Sequence, residues 1–217
     1  MINSLEISNL FSLEKTIAKN HISSLKYGYE IISEISEIVS ALIAETDKSE
    51  YNVYPNNVLI SKGARVDSSA KIIGPCIIGK SEIRHCAYIR QNVIIGDGCV
   101  IGNSCEIKDS LIFDGAQIPH FNYVGNSVIG YKAHLGAGVI LSNLKSDKSN
   151  IKIGKIDTGL RKFGSLVGDF CEIGSSCVLN PGSVIGKNSI IYPLSSRRGI
   201  IKENTIYKSI NSIVERI

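Results

Sequence analysis

Arg90 and Lys108 lie 18 residues apart, and each directly follows an isoleucine, Ile89 and Ile107. In a chain that closes one turn about every 18 residues they would stack with both side chains outward. Like charges one strand spacing apart repel unless an anion lies between them. Phosphate is the natural anion, since arginine offers a planar fork and lysine a point charge. The pair reads equally as two solvated surface cations, with Lys108 paired to Glu106 on the same face. His120 is the second candidate. It lies in Pro119-His120-Phe121-Asn122-Tyr123-Val124-Gly125, with Leu135-Gly136-Ala137-Gly138 downstream. A carboxylate such as Glu106 could orient its ring and support a positive charge on it, making it a general base. A structural ring is the alternative. His85, His120 and His134 could instead hold zinc, but their spacing is not that of a ligand set, and no metal is expected.

These residues interrupt a regular rhythm. Ile83, Ile89, Ile95, Ile101, Ile107 and Phe113 recur every six residues, as do Val167, Ile173, Leu179, Ile185 and Ile191. Glycine follows the aliphatic residue at many of these hexads. A period of six marks a parallel β-helix, with one short strand and one turn per hexad and the aliphatic side chain inward. Five cysteines (Cys76, Cys99, Cys105, Cys171 and Cys177) fall four residues after an aliphatic residue, where an inner corner needs something small. Cys86 is out of register by one.

Three expectations concern organisation. Residues 1–57 are a helical segment and linker: Ser12-Leu13-Glu14-Lys15 starts a short helix, and Tyr29 to Ala44 carries an apolar stripe of Ile31, Ile35, Ile38 and Leu42. That stripe must lie on the open end or flank of the solenoid. Residues 58–207 are the β-helix, with residues 144–163 protruding as a loop bearing Lys145, Lys148, Lys152, Lys155, Arg161 and Lys162. Residues 208–217 are a short helical tail, with Ile210, Ile213, Val214 and Ile217 on one side.

The chain of 217 residues is long enough for a sizeable core, with 43% apolar and 20% charged residues. A net charge of +4 without a basic run beyond Arg197-Arg198 argues against nucleic acid. No stretch reaches the ~20 apolar residues of a membrane helix, and no secretion leader opens the chain. A cytoplasmic protein is expected.

The hexads together with Ile89-Arg90, Glu106-Ile107-Lys108, His120-Phe-Asn-Tyr123-Val-Gly, Leu135-Gly-Ala137-Gly and Ser142-Asn143 resemble the acetyltransferase domain of a known family. These are the bifunctional N-acetylglucosamine-1-phosphate uridyltransferase/glucosamine-1-phosphate acetyltransferases and their archaeal sugar-phosphate relatives. The likeness covers roughly residues 58–200, and Thr158-Gly159-Leu160-Arg161-Lys162 looks like the family's extended loop. It implies a left-handed parallel β-helix, a homotrimer with sites between subunits, and acetyl-CoA as cosubstrate for an amino-sugar 1-phosphate acceptor. Arg90 and Lys108 match phosphate-holding residues, and His120 the catalytic base with Glu106 its partner. Tyr123 and Asn143 match sugar-binding positions. Ala137 matches a backbone contact to acetyl-CoA and Ser175 a further position on that side. Arg161 and Lys162 fall to the CoA phosphates, and backbone N–H groups of Gly136-Ala137-Gly138 to the oxyanion.

The sequence departs from the family at three places. His134 stands where the family has a substrate-site asparagine, Ser149 (beside Lys148) where a lysine is expected, and Asn126 where an acidic residue is usual. Residues 1–57 carry no glycine-rich nucleotide loop, so no uridyltransferase activity is expected. Alternatives are a transferase with another acceptor, or a non-catalytic trimeric subunit of a separate nucleotidyltransferase that docks through residues 1–50.

Overall fold

The computed structural model describes residues 3–209 and 212–216. The expected fold class is borne out. The hexads wind into a three-sided parallel β-helix in which each coil lends one short strand to each side. The first side has nine strands, from Tyr51–Tyr54 through Cys76–Ile78, Val93–Ile95, Ser110–Ile112 and Val128–Ile129 to Ile200–Ile201. The second has seven, including Tyr88–Ile89, Glu106–Lys108, Tyr123–Gly125 and Ile140–Leu141. The third has nine, including Gln117–His120, His134–Leu135 and Glu172–Ile173.

Inward aliphatic residues stack coil on coil, for example Ile89, Ile107, Val124 and Leu141. One member of the expected first run is corrected. Ile112, not Phe113, continues the ladder, because Ile95 pairs with Ile112 and that coil is one residue shorter. Phe113 lies outside the solenoid core and stacks on Phe11, their ring centroids 5.1 Å apart.

The first side is covered. Its strands carry aliphatic doublets, Leu59-Ile60, Ile77-Ile78, Ile94-Ile95, Leu111-Ile112, Val128-Ile129, Leu166-Val167 and Val184-Ile185. The second member of each points into the solenoid, and the first points out beneath the N-terminal segment. That segment holds helices Gly28–Ser33 and Ile35–Glu45, a split at Glu34 of the single helix expected, and a 3-10 turn at Leu13–Lys15. Ile31, Ile35, Ile38, Val39, Leu42 and Ile43 are buried in the same cluster as Leu59 to Val184. Each such side chain contributes about 1.5–3 kcal/mol by leaving water. A Cβ on Gly28 would lie 2.6 Å from Leu166 Cδ1, so glycine there permits the close approach of helix and sheet. The apolar stripe thus seats on the flank, not on the open end. A polar clasp adds to it: the backbone N–H and hydroxyl of Ser12 donate to the wholly buried Asp169 carboxylate at 2.8 and 2.7 Å.

Three segments differ from expectation. In the expected linker, Tyr51–Tyr54 is a strand paired antiparallel with Val58–Ser61. At the other end, Thr205–Ser209 and Ser212–Glu215 form an antiparallel pair instead of a helical tail. The last coil leaves an unpaired edge, and β-branched Ile213 and Val214 suit a strand that covers it; Ile210 and Ile217 lie outside the described residues. The loop 144–163 is not wholly protruding either. It carries a two-stranded hairpin, Lys152–Ile153 with Ile156–Asp157, and Ile151, Ile153 and Phe163 are buried in the flank cluster. Lys148, Lys152, Lys155, Arg161 and Lys162 remain exposed. Among the described residues no helix is long and apolar enough to cross a membrane.

The five in-register cysteines are buried and Cys86 is exposed. Burial pushes the thiols of Cys76, Cys99 and Cys171 up to about 12. A thiol reagent is therefore expected to modify one cysteine, Cys86, in the folded protein and all six after unfolding. Fast modification of a second site in the folded state would contradict the inward placement.

Candidate active site

On the second side, the strand register sets Glu106 between Tyr88 and Tyr123, and Lys108 beside Gly125. The Arg90 N–H donates to Ile107 O at 2.8 Å, which brings Arg90 next to Lys108 as the 18-residue spacing predicts. Both cations already have partners. Arg90 Nη1 is 2.9 Å from Glu106 Oε1, and this bond holds the guanidinium above its ordinary range. Lys108, only 6% exposed, is 3.3 Å from Asp109 Oδ2. The alternative pairing of Lys108 with Glu106 is not formed. An incoming anion would meet two cations held in place and already neutralised, so it must compete with carboxylates.

Tyr123 and Asn143 belong to the same patch. Burial, then the Glu106 charge, pushes the Tyr123 phenol up, so it stays a hydrogen-bond donor throughout the neutral range. Asn143 Nδ2 donates to Asn126 Oδ1 at 2.7 Å. Gly125 forms the floor between them: a Cβ there would lie 2.5 Å from the Tyr123 hydroxyl and 2.9 Å from Asn143 Nδ2. Lys108, Tyr123, Asn143 and Asn126 therefore gather around one glycine, with Arg90 on the coil beyond Lys108.

His120 ends the strand Gln117–His120, at the corner where the third side turns into the second. Its side chain is exposed, and Phe121 follows in the left-handed region at φ +53°. The expected pairing with Glu106 is not formed. The strands place the two residues on different sides, the Glu106 carboxylate is held by Arg90, and no hydrogen bond or ion pair joins it to His120 among the described residues. The backbone at His120 is fixed instead by Asn122, 2% exposed, whose Oδ1 accepts from His120 N at 3.1 Å and whose Nδ2 donates to Gly136 O at 2.7 Å. The sequence reading passed over Asn122. Its signal is a polar residue in the corner slot that elsewhere takes cysteine or alanine.

Along that corner Gly138 N donates to His120 O at 3.0 Å and Ser176 N to Ala137 O at 2.8 Å, so His120, Ala137 and Ser175 follow one another on three successive coils. Of the candidate oxyanion donors around Gly136-Ala137-Gly138, two are already engaged. Gly136 N–H is used by Ile173 O and Gly138 N–H by His120 O, whereas Ala137 N–H has no partner among the described residues. Ser175 N–H is likewise free. A groove of about 320 Å³ adjoins them, lined by His134, Gly136, Glu172, Ser175, Tyr192 and Pro193. In it His134 Nδ1 is 2.8 Å from Glu172 Oε2, so His134 lies on the third side, apart from Arg90 and Lys108. Arg161 and Lys162 sit on the loop at the corner between second and first sides; Arg161 Nε donates to Lys148 O at 3.3 Å, away from Ala137 and Ser175. Another concavity, about 670 Å³, lies at the first coils around Tyr54, Ile60 and Ala70, and it holds none of these groups. No cluster of three or more metal-ligating side chains occurs among the described residues.

Residues 54–156 match the GMPPB C-terminal domain family. The chain is similar to a bifunctional protein GlmU of Methanococcus maripaludis, 36% identical over 86% of this chain and 46% of the relative. It is 39% identical to the GlmU protein of Methanococcus vannielii over 60% of this chain and 32% of that one. A bifunctional sugar-1-phosphate nucleotidylyltransferase/acetyltransferase of Sulfurisphaera tokodaii is 38% identical over 38% of this chain and 22% of its own length. The chain thus spans less than half the length of these curated relatives. A solved UDP-N-acetylglucosamine acyltransferase of Francisella novicida aligns over 72% of this chain and 69% of its own, at 16% identity and a TM-score of 0.43, too low to bear on function.

Proposed function

We propose that this solenoid, similar in sequence to GlmU-type bifunctional proteins, transfers an acetyl group from acetyl-CoA to the amine of an amino-sugar 1-phosphate. One observation carries the reading. His120 stands at a corner with the Arg90, Lys108, Tyr123 and Asn143 patch on one side and the free N–H groups of Ala137 and Ser175 on the other. A base for this reaction must stand between acceptor and donor. The sugar phosphate exchanges for the carboxylates on Arg90 and Lys108, and Tyr123 and Asn143 meet the sugar hydroxyls. The thioester arm lies along the corner, where Ala137 and Ser175 donate to its carbonyls. His120 takes the amine proton as the nitrogen attacks the thioester carbon. The loop cations Arg161 and Lys162 are too far round the solenoid to serve that arm in one chain. A homotrimer with sites between subunits would bring them from a second copy, and would also supply the carboxylate that His120 lacks. The reaction needs no metal. We propose no nucleotidyl transfer by these residues: before the solenoid the described chain forms short helices and one strand laid on its flank.

The direct test incubates purified protein with acetyl-CoA and glucosamine 1-phosphate and follows free thiol. A panel of amino-sugar phosphates and nucleotide-linked amino sugars identifies the acceptor. Thiol release with no member of the panel would overturn the reading. Gly125→Ala adds the methyl group that the floor excludes. Displacing the Tyr123 and Asn143 bonds, worth about 0.5–1.5 kcal/mol each, is expected to raise the acceptor KM about tenfold with kcat little changed. An unchanged KM would remove Tyr123 and Asn143 from acceptor binding.

A further inference from the structure

The acetyl transfer proposed above needs two proton movements. The attacking amine sheds a proton and the departing sulfur gains one. His120 at the corner serves the first. The second has its own group in the groove on the donor side. His134 opens the strand His134–Leu135 on the third side, directly beneath Gln117 and above Glu172. Its Nδ1 is 2.8 Å from Glu172 Oε2, the imidazole–carboxylate arrangement that was expected at His120 and is absent there. With Nδ1 held by the carboxylate, Nε2 is left for the groove, where Gly136 and Ser175 form the neighbouring wall. Both members are partly open to solvent, 41% and 51% exposed, so the groove admits a ligand and the ring exchanges protons with water. The groups facing the ring are few. Gln117 donates its Nε2 to Gly115 O at 3.2 Å, Tyr192 stands across the groove, and Glu172 is the one charged residue lining the groove with it among the described residues. Lys132, two residues earlier, holds its ammonium over the Tyr131 ring.

We infer that His134, held by Glu172, is the general acid that protonates the thiolate leaving in acyl transfer, an inference that rests on the acetyltransferase reading. The nitrogen of the acceptor forms its bond to the acyl carbon, and its proton passes to His120. The carbon–sulfur bond breaks with its electron pair on sulfur, which takes the Nε2 proton of the His134 imidazolium. His120 and His134 then exchange protons with water, so no other reactant is consumed. Glu172 is a positioning residue: its carboxylate holds Nδ1 and so fixes the ring with Nε2 toward the groove.

The test compares acetyl-CoA with phenyl thioacetate, whose thiolate departs without a proton. His134→Asn should lower kcat with acetyl-CoA by about 10²-fold, the lower part of the range for acid–base catalysis. With phenyl thioacetate the same variant should lose roughly threefold or less, since no acid is needed. Glu172→Gln, which loosens the ring, should lower kcat with acetyl-CoA by about tenfold and again spare phenyl thioacetate. Equal losses with both donors would assign the dyad a binding or structural role and overturn the inference. Absence of transfer by the wild type from either donor would be a different failure, that of the acetyltransferase reading itself.

Discussion

His120→Ala is expected to lower kcat for acetyl transfer by about 10²–10⁴-fold, the range that a positioned general base supplies. The fold should not register the change. The imidazole is exposed and makes no hydrogen bond among the described residues, and the corner is held through backbone atoms, His120 N to Asn122 and His120 O to Gly138. A melting temperature near that of wild type, with turnover lost and the acceptor KM little altered, would mark a chemical role. Turnover undiminished in this variant would remove His120 from the mechanism and leave the His134–Glu172 pair as the base.

The largest expected effect on stability comes from Phe113→Ala. Phe113 is completely buried, yet it takes no part in the inward ladder; it lies beneath the N-terminal segment, stacked on Phe11 at 22° between planes. Removing a ring of this kind costs about 3–5 kcal/mol, transfer and cavity together. Because the solenoid core keeps all its members, the cost should fall on the docking of residues 3–50. Denaturant unfolding is expected to separate into two transitions, and limited proteolysis to cut the N-terminal segment first. A single transition with a loss below about 1 kcal/mol would show that the site collapses around the missing ring.

Much of this could be read from residue order. The six-residue aliphatic rhythm yields the solenoid, and the 18-residue interval from Arg90 to Lys108 yields their adjacency. What the rhythm hid was which side is covered. The doublets such as Ile77-Ile78 and Leu111-Ile112 recur once per coil and mark an outward position that must also leave water, a signal that the six-residue period, which tracks only the inward member, does not carry. Phe113 was misplaced for a related reason: a 17-residue coil shifts phase by one, and strict counting by six carries an outward ring into the core. Partner choice was less legible. Glu106 lies within reach of either Arg90 or Lys108 on spacing, and the fork of Arg90 takes it. The His134–Glu172 pair spans 38 residues because loop 144–163 is inserted into the intervening coil, so no count by six or 18 aligns the two.

The covered side has a mechanical consequence. A bare solenoid is nearly one-dimensional: each coil touches only its neighbours, and end coils can fray without consulting the middle. Here one segment lies lengthwise across outward residues from Leu59 to Val184, as a splint lies along a jointed rod. Opening any one of those coils must also peel the splint, so their openings are coupled. Amide hydrogen exchange along the covered strands should therefore proceed at one shared rate and not in a gradient from the ends. The coils that carry Arg90, Lys108, His120 and Asn143 lie within the splinted span, so helices packed on the first side brace the spacing of a polar patch built on another.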